Sequence, residues 1–262
     1  MTSPRRYART RYSMPCRLLT LASLFLWTSA FALEDTSVAA GQAAIAAQPV
    51  SERIAYWAER FVGTPYDTDP LGLYVQREAI VADDRIDCMY HVFRSRELAE
   101  TSTPAGAVKA ALDLRFHHRG VLKDGRVVNY GDRFEYGEDM LRSGKWGRDV
   151  TAALGPTIKI PGARGVTAYA ILPKAAIPSS LPALQSGDIL YWVKKPARRV
   201  HDEVVGHIGV LVREGEEVFL VHAAGTKTRG GAVRKVRLLD YLGPMSFIGV
   251  MVGRIYPQVQ AP

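Results

Sequence analysis

Every strongly β-patterned segment of the chain lies in its last third. After Ser186-Gly187, five apolar or β-branched runs follow one another at residues 188–193, 207–213, 217–223, 233–238 and 247–255, each bounded by turn residues. The segments before them read as helices. Ser51 is placed to cap a helix whose Ile54, Trp57, Ala58 and Phe61 fall on one face, and Gly63 is placed to stop it. A second helix is expected from Asp87 to about Glu100. Thr103-Pro104 offers a cap followed by proline at the first helical position of a third, with Val108, Ala111 and Leu112 on its apolar face. Asp124-Gly125 between two short runs predicts a hairpin, and a short helix is expected within residues 132–142. Helices first and consecutive strands afterwards predict an α+β fold with an antiparallel sheet, not alternating β/α units.

The N-terminus reads as a secretory signal over residues 1–32. Arg5, Arg6, Arg9, Arg11 and Arg17 occur without an acid, residues 18–27 are apolar, and Ala30-Phe31-Ala32 offers a small-x-small cleavage site. The apolar run is shorter than the roughly 20 residues of a spanning helix, so no membrane insertion is expected after cleavage. The expected location is the periplasm or cell envelope. Residues 33–50, rich in Ala and Gln, read as a flexible leader. Residues 51–257 then form one domain, with an insertion at about 101–186 and a polar loop over 67–84. The formal charge of +8 counts 34 Lys and Arg against 26 acids; without the five leading arginines it is 29 against 26, near +3. That balance carries no basic block and argues against nucleic-acid binding.

Of two cysteines, Cys16 falls in the signal, so the mature chain holds one thiol and no internal disulfide. A lone cysteine is commonly a buried small hydrophobe. Cys88 has a different setting: it follows Asp87 at a helix start, where the positive end of the macrodipole favours thiolate. More than a hundred residues later stand Gly206-His207-Ile208-Gly209-Val210 and Val221-His222-Ala223. A histidine at the start of an apolar strand is usually only a polar end. Here the hairpin register unites the two. If Glu214-Gly215 is the loop, Arg213 pairs with Glu216 and His207 lies directly opposite His222, with Cβ atoms roughly 5 Å apart. A cysteine helix packed on that face then assembles a nucleophile, Cys88, a base, His207, and an orienting group, His222. Tyr66, in Gly63-Thr64-Pro65-Tyr66, is a candidate oxyanion donor or substrate contact, as is Asp87 at the helix start. His91 is expected at the surface or behind the site. His117, His118 and His201 fall in loops; with His207 or His222 they could bind zinc, but no HExxH spacing supports this, and neither metal nor cofactor is expected.

These residues resemble the NlpC-type cysteine peptidase superfamily, a papain-like fold that cuts bacterial cell-wall peptides. The resemblance is carried by Gly63-Thr64-Pro65-Tyr66, Asp87-Cys88, Gly187-Asp188-Ile189-Leu190, His207-Ile208-Gly209-Val210 and Val221-His222-Ala223, in that order. It implies Cys88, His207 and His222 as the triad. The segment with Arg119, Lys123-Asp124-Gly125, Tyr130 and Asp132-Arg133-Phe134-Glu135-Tyr136 resembles the N-acetylmuramoyl-L-alanine amidase-like branch. That branch usually has Thr-Thr-Phe-Val after Asp-Cys, where this chain has Met89-Tyr90-His91-Val92, and a histidine where this chain has Glu135. The implied activity is hydrolysis of an amide in peptidoglycan or its muropeptide fragments through a thioester. The alternatives are a stem-peptide endopeptidase and a catalytically idle wall-binding module.

Overall fold

The computed structural model describes residues 33–69 and 80–256. Its helices are α1 (Asp35–Ala44), α2 (Val50–Arg60), α3 (Cys88–Ala99), α4 (Pro104–Leu114), α5 (Gly137–Arg142), α6 (Thr151–Leu154), α7 (Ile177–Ser180) and α8 (Leu238–Leu242). Its strands are β1 (Leu122–Lys123), β2 (Arg126–Val127), β3 (Arg148–Asp149), β4 (Ile158–Pro161), β5 (Ala168–Pro173), β6 (Ile189–Val193), β7 (Val205–Glu214), β8 (Glu217–Thr226), β9 (Gly230–Arg237) and β10 (Gly249–Arg254). The fold is α+β. One antiparallel sheet runs in the order β4-β5-β10-β6-β7-β8-β9, with β3 added against the far end of β10. Among the described residues no helix is long and apolar enough to cross a membrane. The signal, Cys16 and the extended piece expected near residues 72–75 lie outside the described residues.

The alternation of side chains along the strands divides the core in two. Tyr191, Ile208, Val210, Val221 and Ala223 face α2 and α3, and α2 meets them with Ile54, Trp57, Ala58 and Phe61, each at most 1% exposed. Leu190, Trp192, Leu211 and Leu220 face the other way, toward α7 and α8. Burying each such side chain is worth roughly 1.5–3 kcal/mol, so this double-sided sheet is the main source of stability.

One expectation is corrected. Residues 33–50 are not a loose leader: α1 spans most of them, with Val38 fully buried and Gln42 Nε2 donating to Thr101 Oγ1 at 2.9 Å. Alanine and glutamine are good helix formers, and that local preference prevailed over the low complexity. Residues 101–186, read as an insertion, contribute to the main sheet, since β5 pairs with β10 and carries β4 beside it. The hairpin at Asp124-Gly125 is present as β1–β2, with positive φ at both turn residues.

Candidate active site

Cys88 is the first residue of α3. Asp87 caps the helix: its Oδ1 accepts from Tyr90 N at 2.8 Å. The carboxylate's other oxygen takes a hydrogen bond from Lys227 Nζ at 3.3 Å, and the same ammonium donates to the buried Asp67 at 3.3 Å. The partly exposed Cys88 thiol accepts a hydrogen bond from the backbone N–H of Ile208, the neighbour of His207.

His207 and His222 are in direct contact, His207 Nε2 to His222 Nδ1 at 2.7 Å. The register differs from the one expected. Glu214 pairs with Glu217 around Gly215-Glu216, and Val210 pairs with Val221. A tight turn with φ of +59° at its first central residue demands glycine there, so Gly215 takes that position instead of the second. The ladder is thereby displaced by two residues. His207 and His222 become diagonal instead of directly opposed neighbours, and a displacement by an even number leaves both on one face.

That face is not the one α3 covers. His207 pairs with Trp192 across β6 and β7, and His222 alternates with Val221 and Ala223, so the imidazoles point away from the helix layer. The expectation of a cysteine helix packed on the histidine face is therefore corrected. The thiol meets β7 through the backbone N–H of Ile208, next to His207, where the sheet opens. From Val210↔Val221 toward the start of β7, that strand continues paired with β6, while β8 continues paired with β9. Cys88 enters this parting at Ile208.

On the far face an aromatic wall holds the imidazoles. Phe247 stacks on His207 with centroids 6.4 Å apart and planes 11° apart, and Tyr241 of α8 meets His222 edge-on at 5.0 Å. Gly206, His207, His222, Gly225, Arg229 and Tyr241 are among the residues lining a cavity of about 440 Å³. Gly225 is needed there, because a Cβ would stand 2.5 Å from the Tyr66 ring.

The electrostatics favour neutral partners. Burial, reinforced by the Asp87 carboxylate, pushes the Cys88 thiol up to about 12, against the pull of Ile208 N–H and Lys227. The thiolate expected from the helix start is disfavoured, first by burial and then by Asp87, which sits at the same terminus and offsets the dipole. Burial pushes His207 down to about 3, helped by His222, and His222 down to about 4. The phenols of Tyr66 and Tyr241 are both raised, by burial first and then by Cys88, so both stay protonated.

Sequence reading brought Cys88, His207, His222, Tyr66 and Asp87 forward; the structure groups Asp87, Cys88 and Tyr66 on one side and His207 with His222 on the other, with Ile208 N–H against the thiol and Gly225 against the Tyr66 ring. His91 is fully buried, not at the surface; its Nε2 donates to Ala58 O at 3.1 Å. Of the loop histidines, His117 packs on Phe134, its chain neighbour His118 bonds Asp132, and His201 is exposed. Lys227, Tyr241 and Phe247 were not anticipated. Lys227 reads as a solvated turn residue, and nothing in the local pattern around Tyr241 or Phe247 ties it to a distant histidine.

No family model and no curated protein matches the chain. Solved structures do. An N-acetylmuramoyl-L-alanine amidase from Bacteroides uniformis is 20% identical, with a TM-score of 0.62 over 79% of this chain and 99% of its own. A putative xylanase from Bacteroides fragilis is 21% identical, with a TM-score of 0.59 over 76% and 99%. A Legionella pneumophila protein assigned to the DUF1460 family is 15% identical, with a TM-score of 0.63 over 85% and 94%. At such identities the likeness shows the fold alone: this chain shares an α+β architecture with nearly the whole length of each of those proteins.

Proposed function

We propose that the chain is an exported, papain-like cysteine hydrolase of the NlpC type that cleaves an amide bond in peptidoglycan or muropeptides, the N-acetylmuramoyl-L-alanine bond in particular. The observation that carries this reading is the contact of His207 with His222, with the Cys88 thiol hydrogen-bonded to the backbone N–H of Ile208, the next residue after His207. A solved neighbour that is an amidase of that specificity supports the choice of bond.

The neutral ground state makes this a general-base mechanism. One hydrogen bond joins the two imidazoles, so one of them supplies its proton. If His207 Nε2–H donates to His222 Nδ1, the lone pair of His207 Nδ1 is free to take the thiol proton. As sulfur attacks the muramoyl carbonyl, His207 becomes imidazolium and the carbonyl oxygen becomes anionic. The backbone N–H of Cys88, in the first turn of α3, and the phenols of Tyr66 and Tyr241 are the donors for that oxyanion. Collapse breaks the C–N bond, and His207 returns the proton to the departing alanine nitrogen, leaving a thioester. Water, deprotonated by His207, then releases the acid and restores the thiol. His222 holds the imidazole in the productive tautomer.

The test is mass analysis of digested wall fragments with the native protein and Cys88→Ala. Loss of exactly one amide as a stem peptide and a free muramic acid is the expected result. Cleavage inside the stem peptide would move the assignment to an endopeptidase, and substantial activity in Cys88→Ala would overturn the mechanism.

A further inference from the structure

Glu138 is a fully buried carboxylate that the chemistry of Cys88 and His207 does not use. It lies in the first turn of α5, which packs on the start of β7 so closely that a Cβ on Gly137 would stand 2.8 Å from Val205. Both of its oxygens accept backbone N–H groups of that segment: Oε1 from Val204 at 2.9 Å and Oε2 from Val205 at 3.1 Å. Arg164, in the turn between β4 and β5, completes the set. Its Nη2 donates to Glu138 Oε1 at 2.6 Å and to Asp139 Oδ2 at 3.3 Å, and its Nη1 donates to Asp202 O at 2.9 Å. The guanidinium lies over the Tyr136 ring, 3.6 Å from its centroid. These partners offset the desolvation of the carboxylate.

The bonds fall where β7 lacks a neighbour. β8 pairs with β7 only from Val210 to Glu214, so toward its start β7 has no strand on that edge among the described residues. Leu211 N–H donates to Asp188 O on the β6 side at 2.8 Å, and alternation then turns Ile208 N–H to the freed edge, where it meets the Cys88 thiol. The β6 ladder is interrupted at the same place. Trp192 pairs with His207 and Val193 with Val205, so Gly206 opposes no residue of β6. Such a bulge bends its strand and re-aims the side chain beside it, here His207. Consecutive N–H groups of a regular strand point to opposite edges, yet those of Val204 and Val205 both reach one carboxylate. Glu138 thus holds an irregular backbone that neither adjoining strand holds.

We propose that Glu138, held by Arg164, is a positioning residue: it takes the place of β8 on the freed edge of β7 and so fixes Ile208 N–H against the Cys88 thiol and the His207 imidazole against His222. This deepens the reading of the cleft as a hydrolase site and rests on it for the use made of that geometry. Glu138 acts through the backbone. The charges that act on the thiol are those of Asp87, Glu203 and Lys227, and the phenols of Tyr66 and Tyr241 stay protonated. Loss of the Glu138 carboxylate therefore reaches the sulfur by displacing Ile208.

The pH profile of iodoacetamide alkylation of Cys88, read beside kcat and KM on wall fragments, tests this. Ile208 N–H holds the thiol down. Glu138→Gln keeps the volume but turns an amide N–H toward one of the two donors. It should move the alkylation profile up by about half a pH unit or more and lower kcat about tenfold, with KM changed less than about twofold. Arg164→Gln, at a side chain one-quarter exposed, should act in the same direction by less, and Arg164→Lys should restore both readouts. A merely structural role would lower the melting temperature and leave the profile of the folded protein unchanged, and that outcome would overturn the proposal. A rise in KM with kcat intact would overturn it too. If Glu138→Gln does not fold, the two Arg164 variants decide by the same criteria. Alkylation needs no wall substrate. Failure of the native protein to cut any wall fragment would remove the hydrolase reading, while the alkylation profile would still decide whether Glu138 positions Ile208 at the sulfur.

Discussion

The pair His207 and His222 shares a single hydrogen bond of 2.7 Å, and its direction decides which nitrogen is free to act as base. On the proposed mechanism His207 moves the proton and His222 only fixes its tautomer. His207→Ala is expected to lower kcat/KM about a hundredfold or more. His222→Ala should cost less, and His222→Asn, which still offers a hydrogen-bonding group, less again. Combining either with Cys88→Ala should add little, since groups acting as a unit are not additive. A fully active His207→Ala protein would refute the assignment. Lys227 belongs to the same scale. Its ammonium bridges Asp67 and Asp87, and it opposes the rise of the Cys88 thiol. Lys227→Met should displace the pH profile of iodoacetamide alkylation of Cys88 to higher pH, and Lys227→Arg should restore it. An unchanged profile in Lys227→Met would show that the bridge does not act on the sulfur.

Helix α3 is unusual among the elements because it is buried on all sides from Tyr90 to Ala99, charged residues included. Arg115 grips Glu97 through two hydrogen bonds, of 2.5 and 2.7 Å, and Arg94 holds Asp83 at 2.9 Å. These pairs anchor the helix whose first residue is Cys88. Glu97 is the carboxylate that the buried guanidiniums of Arg94 and Arg115 share, so Glu97→Ala should destabilise the protein by about 3–5 kcal/mol. Removing the exposed pair of Asp84 and Arg85 should cost less than about 1 kcal/mol. Denaturant midpoints of the two variants test the contrast, and similar midpoints would contradict it. The helix itself was legible from Asp87, its capping residue; its complete burial was not, because the chain pattern around Arg94, Arg96 and Glu97 matches that of a solvated helix. The β7–β8 hairpin was legible in the same partial way. Its strands were evident from their apolar runs, but the register depended on which position of a tight turn Gly215 occupies.

For the whole molecule, three buried histidines set the response to acid. Burial holds His91 at about 4, His207 at about 3 and His222 at about 4, below the unfolded value near 6.5. Between pH 6.5 and 4 the unfolded chain therefore binds more protons than the native one, and stability falls as pH falls through that window. His91 has no part in the proposed chemistry; its Nε2 donates to Ala58 O and its buried Nδ1 has no partner, so a second proton finds no acceptor. Thermal melts from pH 7 to 4 should show a steep loss of Tm, with a shallower slope in His91→Gln than in the native protein. Equal slopes would mean that His91 does not titrate with unfolding.

The helices α2 to α4, the closing run of strands from β6, the start of α3 and the candidates Cys88, His207 and His222 were legible in the sequence itself. Each depends on local physics: a capping carboxylate at Asp87, apolar periodicity in α2, β-branched runs bounded by turns. Three things were decided only by the tertiary structure. The imidazoles occupy the sheet face opposite α3, and Cys88 meets β7 at Ile208, beside the parting of β7 and β8, because a sheet covered on both sides admits a helix terminus only where its ladder ends. The thiol rests protonated, because desolvation and the Asp87 charge act at distances that no spacing along the chain encodes. Lys227, Tyr241 and Phe247 join the site for the same reason: they are far from Cys88 in sequence, and only packing brings them to it.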